Sequence, residues 1–273
     1  MATSPVFRPK RPAWFRAFAG AVVVSMLVYG VWRWWTPWRP GRWGGLLFGT
    51  LATAVFVVDA LYPLRRRLMS WPLQSAQHWL QFHIYGGVLA CLFVFIHMGF
   101  RLPAGQFGWW LLILSLWATF SGLVGVAVQK YVPNMLATNL AVEAIYERIP
   151  GLAARLQGDA DRLLVGAPDV LQRAYLNNTR AWLGALAPSW SYVVDFRAER
   201  ERRLGPFSEV APFLSDADRA RLVDLQAIVA EKLELDVQYS LQRLIKMWVP
   251  LHAWPSLFLM GLIAVHVIAV LVF

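Results

Sequence analysis

The 273-residue chain is 58% hydrophobic and 15% charged, against about a quarter charged in an ordinary water-soluble domain, so much of its surface faces something other than water. Its net charge is +10, but no basic stripe on a polar face points to a nucleic-acid partner. The one cysteine, Cys91, excludes a disulfide, and it excludes an iron–sulfur cluster or a covalently attached haem built from this chain alone.

Arg8, Lys10, Arg11 and Arg16 precede the first apolar run. That start resembles a signal peptide, but the run ends in Trp32, Arg33, Trp34 and Trp35 instead of a small-residue cleavage site, so a retained span is expected. Five spans, each near the ~20 residues that cross a bilayer, are predicted at roughly 16–35, 44–63, 79–100, 107–128 and 248–273. Thr36-Pro37-Trp38-Arg39-Pro40-Gly41-Arg42 breaks the first from the second, Arg65, Arg66 and Arg67 close the second, and Pro103-Ala104-Gly105 separates the third from the fourth. Many of the 15 tryptophans sit beside span ends, where amphipathic rings favour the headgroup layer.

Seven basic residues fall on the side of the N-terminus and the Arg65–Arg67 loop; Arg33, Arg39, Arg42 and Arg101 fall on the other. The positive-inside rule then predicts a cytoplasmic N-terminus in a bacterial inner membrane, with basic flanks drawn to anionic lipid. All 16 acids except Asp59 lie between Glu143 and Asp236. Segment 129–247 therefore reads as a soluble, cytoplasmic insertion, and it is expected to be helical. Leu140, Ala144, Ile145 and Ile149 recur at helical spacing, and Pro150-Gly151 is expected to stop that helix. Ser215-Asp216-Ala217-Asp218 predicts the cap of a long helix running through Leu222, Leu225, Ile228, Leu233 and Leu235 toward the fifth span. No strand pattern is evident. The expected fold is an all-α membrane protein: spans one to four in 1–128, the insertion in 129–247 and span five in 248–273.

Four of the five histidines lie in two spans: His83 and His97 in the third, His252 and His266 in the fifth. Each pair is separated by 14 residues. At 100° per residue that is four turns less 40°, so each pair shares a helix face, roughly 21 Å apart along the axis. Histidine inside a bilayer span is uncommon and usually functional, and imidazole is a good axial ligand for haem iron. The pattern suits two non-covalent haems, one toward each membrane surface, each clamped by a histidine from each helix. Spans three and five run parallel if 129–247 stays on one side, which sets His83 level with His252 and His97 level with His266. The alternative is four unrelated histidines bonded to nearby backbone; the repeated spacing and matching depth disfavour it.

Other residues carry two readings each. Gly86, Gly87, Gly122 and Gly125 either let a flat macrocycle approach the backbone or simply pack helices. Arg101, Lys246 and Arg243 either pair with haem propionates or snorkel to the interface. His78 is 140° around the helix from His83 and faces elsewhere. His78, Gln81, Tyr85 and Asp59 are the candidates for a quinone site on the cytoplasmic side, although an interfacial ion pair with Arg65–Arg67 is the simpler reading of Asp59. Cys91 reads as packing.

The His-x13-His pair on each of two parallel spans resembles the cytochrome b of quinol-oxidising bc complexes. It also resembles the membrane domain of ferric reductases and NADPH oxidases, where spans three and five carry the haem ligands. The resemblance covers roughly 44–128 and 248–273. It implies His83, His97, His252 and His266 as axial ligands of two b-type haems, and electron transfer across the membrane. The chain departs from both families: it has no Pro-Glu-Trp-Tyr motif, no sixth span and no glycine-rich phosphate loop opening a flavin or nicotinamide domain. The expectation is therefore a cytochrome b subunit of a quinone-linked redox complex, partnered by a periplasmic c-type cytochrome or iron–sulfur protein, more than a stand-alone enzyme. A self-contained haem reductase of ferric ion or oxygen, and a haem-free structural subunit, are the alternatives. The chain ends in the apolar run Val270-Leu271-Val272-Phe273, so a periplasmic module beyond it is expected.

Overall fold

A computed structural model describes residues 12–64, 76–139, 146–186, 188–189 and 196–272, and all regular structure among them is helical. The helices are α1 (Pro12–Trp35), α2 (Trp43–Ala60), α3 (Ala76–His97), α4 (Gln106–Asn139), α5 (Ile149–Leu163), α6 (Asp169–Asn178), α7 (Arg180–Gly184), α8 (Phe196–Val210) and α9 (Asp216–Val272). Single 3-10 turns lie at Tyr62–Leu64, Tyr146–Arg148 and Ala211–Phe213. Two compact units result, Met1–Ala127 with Trp248–Phe273 and Val128–Met247, and α9 supplies residues to both.

The first unit has the character of a membrane protein. Five helices, α1, α2, α3, α4 and α9, are long and apolar enough to cross a bilayer. Val23, Val24, Leu27 and Val31 on α1 and Ile268 and Leu271 on α9 are exposed, outward hydrocarbon that lipid accepts and water does not. Inside, Phe48, Ala52, Phe93 and Ile96 join α2 to α3. The end of α3 is set tightly. Gly99 at φ +65° lets the Phe100 N–H reach the Phe95 carbonyl (2.9 Å) and its own N–H reach that of Ile96 (2.8 Å), a left-handed cap that stops the helix just past His97. Buried Trp38, from the turn between α1 and α2, packs where a Gly99 side chain would stand and donates its indole N–H to the His97 carbonyl at 3.3 Å.

The second unit packs α5–α8 against the first part of α9. Leu222, Leu225, Val229, Leu233, Val237 and Leu241 recur every three to four residues along α9 and are all buried, with Leu171, Leu183 and Phe207 opposite them. The predicted cap forms: Ser215 Oγ accepts from the Asp218 N–H at 3.3 Å and donates to its carboxylate at 2.6 Å. Pro150 is a correction. It sits in the first turn of α5, where a missing N–H costs nothing and a fixed φ favours the helix, so Pro150-Gly151 opens a helix instead of ending one. Leu140, Ala144 and Ile145 lie outside the described residues. At the centre, Lys232 and Asp236 are both fully buried and bonded at 2.6 Å, with the ammonium 4.6 Å from the Trp182 ring centre. Burial pushes the Lys232 ammonium below its ordinary range, against the opposing pull of Asp236.

This pair yields a stability prediction. Asp236→Ala leaves a buried ammonium uncompensated and should cost about 3–5 kcal/mol, read as a drop in the unfolding midpoint of the full chain in detergent. Lys232→Met combined with Asp236→Leu should recover most of it. An unchanged midpoint in Asp236→Ala would show that the pair does not hold this core.

Candidate functional site

In the first unit, α3 and α9 carry their histidines at two levels. The His83 and His252 ring centres are 6.1 Å apart with planes at 90°, and those of His97 and His266 are 6.3 Å apart at 81°. Two imidazoles bonding one metal from opposite sides, at about 2.0–2.1 Å per bond, have ring centres about 6.3 Å apart. Between the two levels lies an apolar layer of Phe56, Ala90, Leu114, Leu259 and Ile263, drawn from α2, α3, α4 and α9.

Neighbouring helices fix the rings. The His97 Nδ1 is 2.8 Å from the Gly45 carbonyl. A carbonyl only accepts, so Nδ1 carries the proton and Nε2 keeps its lone pair. The Ser121 hydroxyl donates to the Trp117 carbonyl at 2.6 Å, which leaves its oxygen to accept from His252 Nδ1 at 2.9 Å. His252 Nε2 is then also a free electron pair. Trp248 stacks on His252 at 5.4 Å and 14°, and anchors through its indole N–H to the Ser121 carbonyl at 2.7 Å. Tyr62 stacks on His83 at 4.7 Å and 19°.

Around His252, α9 contains Pro250 and Pro255. Pro255 has no N–H to give the Leu251 carbonyl four residues earlier. Trp117 Nε1 supplies the missing donor at 2.9 Å. The indole thus satisfies a carbonyl that a lipid environment would otherwise leave bare.

Glycines admit the rings. A side chain at Gly49 would begin 2.7 Å from His97 Nδ1, and one at Gly122 would lie 3.4 Å from His252 Cε1. Gly125 makes room for the Trp248 indole. Gly86 and Gly87 face Asp59, whose carboxylate oxygens lie 3.2 and 3.5 Å from where their side chains would begin. Asp59 is buried at 7% exposure, and its Oδ1 is 3.8 Å from His83 Nδ1.

The remaining candidates scatter. Arg101 is exposed just past α3. Lys246 belongs to the second unit, where its ammonium bonds Glu147 at 2.7 Å and lies 3.9 Å over the Tyr146 ring. The His78 ring lies 6.0 Å from that of Trp14, and Tyr85 lies 5.4 Å from Phe18. Cys91 is buried. The expected partners of Asp59, Arg65–Arg67, fall outside the described residues. Among the described residues no three His, Cys, Asp or Glu side chains converge as for a metal held by protein alone; a haem iron takes its equatorial nitrogens from the porphyrin and asks the protein only for axial ligands.

Comparison with protein-family models, curated proteins and solved structures gives no match. The site therefore rests on its own geometry. The structure brings together the four histidines that the sequence singles out; Gly45, Gly49 and Ser121, which meet two of those rings, carry no signal in the sequence, because their contacts depend on which helix lies alongside. Asp59 had a signal: it is the one acid outside Glu143–Asp236.

Gly49→Ala should force His97 off the Gly45 carbonyl, a crowding cost of about 1–3 kcal/mol. The unfolding midpoint should fall accordingly, whereas Gly20→Ala, where nothing lies within 4 Å, should leave it level or slightly raised. Equal behaviour of the two variants would contradict the close approach.

Proposed function

We propose that this chain is the membrane cytochrome of a redox complex, holding one b-type haem between His83 and His252 and another between His97 and His266. The observation that carries this reading is the pair of imidazole–imidazole distances, 6.1 and 6.3 Å, at two levels of the same two helices. The residues fit the group on a second count: Gly45 and Ser121 hold the Nδ1 protons of His97 and His252, which turns each Nε2 into a ligand. Bound haem supplies a one-electron iron couple at each level.

The chain supplies everything else. Its histidines fix the two sites roughly 21 Å apart along the helices, dividing a ~30 Å hydrocarbon core into short electron hops. The Phe56, Ala90, Leu114, Leu259 and Ile263 layer excludes water between them. Trp248 and Tyr62 wall the His83–His252 level with aromatic faces. Arg101, four residues past His97, is exposed and is the proposed partner of an acidic propionate. With the N-terminus in the cytoplasm, the His83–His252 level lies on the cytoplasmic side and the His97–His266 level on the outer side. A membrane quinone then exchanges electrons at the inner level, and a periplasmic redox protein exchanges them at the outer level.

The purified chain should carry two acid-extractable haems with low-spin bis-histidine spectra. His83→Ala and His252→Ala should lose the same haem, and His97→Ala and His266→Ala the other. A haem-free preparation from haem-sufficient cells, or a shared loss in His83→Ala and His266→Ala, would sink the assignment. A quinol analogue should reduce at least one haem of the isolated complex; if no quinol or quinone changes either, the quinone link fails and the haem assignment stands.

A further inference from the structure

The four histidines differ in what stands behind them. His97 has a backbone carbonyl at 2.8 Å, His252 a serine hydroxyl at 2.9 Å, and His266 the Phe107 ring, centred 6.2 Å away. His83 has a carboxylate: Asp59 Oδ1 lies 3.8 Å from its Nδ1. Asp59 is the sole acid of the chain outside Glu143–Asp236, and it is buried on the helix beside α3. Burial in an apolar bundle drives such a carboxyl toward its neutral form unless a positive charge beside it holds it ionised. Gly86 and Gly87 leave it the space to sit there.

Apart from its propionates, the iron–porphyrin core of a b-type haem carries one positive charge when ferric and none when ferrous. A nearby carboxylate therefore favours the oxidised state of the iron it faces. We propose that Asp59 is the counter-charge of the site at His83 and His252 and makes it the lower-potential haem of the two. This rests on the haem reading above and adds to it a direction. With both groups bound, the His83–His252 site would give one electron to the His97–His266 site, the first oxidised and the second reduced by one electron. In the proposed orientation the downhill path runs from the cytoplasmic side to the outer side, so quinol is the donor and the outer redox protein the acceptor.

The size of the effect follows from distance. The 3.8 Å gap, the width of an imidazole and a metal–nitrogen bond of about 2 Å together put the carboxylate within about 8 Å of the iron. At an effective dielectric of about 20, one charge at that distance shifts a one-electron equilibrium roughly thirtyfold, or about 90 mV at 59 mV per tenfold.

The test is a potentiometric titration of the full-length holoprotein, following both haem bands. In the wild type the wave that disappears in His83→Ala should be the lower of the two. Asp59→Asn should raise that wave by about 90 mV, at 59 mV per tenfold, and leave the other in place, with low-spin spectra retained. Asp59→Glu, which keeps the charge, should titrate like the wild type. A higher-potential wave lost in His83→Ala overturns the proposal whether or not Asp59→Asn folds. So does an Asp59→Asn protein that binds both haems and titrates like the wild type. A wild-type chain without haem brings down the cytochrome reading itself, a different result from unshifted potentials.

Discussion

A hydrocarbon layer offers no hydrogen-bond partner, so each polar group in the first unit has to find one among the helices themselves. Most of its detail follows from this. Ser25, Ser115 and Thr119 turn their hydroxyls back onto carbonyls four residues earlier. Ser121 does the same and then accepts from His252. Trp117 bonds the carbonyl that Pro255 abandons, and Trp248 bonds the Ser121 carbonyl from the other side of the histidine. An imidazole here cannot rotate toward water. The Nδ1 of His97 and that of His252 are each tied to a neighbouring helix, and the remaining nitrogen of each is directed by that tie.

Close approach is the second half of the same constraint. Hydrogen bonds of 2.8 and 2.9 Å between helices need side chains out of the way. Gly49 lies under His97, Gly122 under His252 and Gly125 under Trp248. In a membrane bundle small residues serve this purpose generally, and here they are distributed so that each ring has its own clearance. Asp59 is the exception: a buried acid over two glycines, with an imidazole nitrogen 3.8 Å away.

The second unit solves its polar problem with charge. Asp161 accepts from Arg180 at 2.9 and 3.1 Å and from the Tyr175 hydroxyl at 2.7 Å; these bonds, Arg180 first, hold its carboxyl below the usual range. Glu199 is buried, which alone would raise its carboxyl, but Arg202 and Arg203 outweigh this and lower it. Arg203 and Lys232 each also lie 4.6 Å from the Trp182 ring centre, so one indole takes cations from two helices. Nothing in that arrangement resembles the histidine levels of the first unit. The two environments select for different chemistry within one chain.

Helix length, apolar runs and the spacing of fourteen are properties of consecutive residues, and the sequence alone determined them. Period 3.6 puts His83 with His97, and His252 with His266, on single faces wherever the helices go. Cap chemistry is equally local, as Ser215 shows, whereas Pro150 is ambiguous in sequence because proline both ends helices and opens them. The tertiary structure decided what touches what. Lys246 found Glu147, a partner 99 residues away, and Asp59 found His83. Gly45 and Ser121 became histidine partners only because α2 and α4 bring a carbonyl and a hydroxyl to those rings. Local patterns fix the direction of a side chain on its own helix. Which atoms it meets depends on helix packing, and no period in the sequence encodes that.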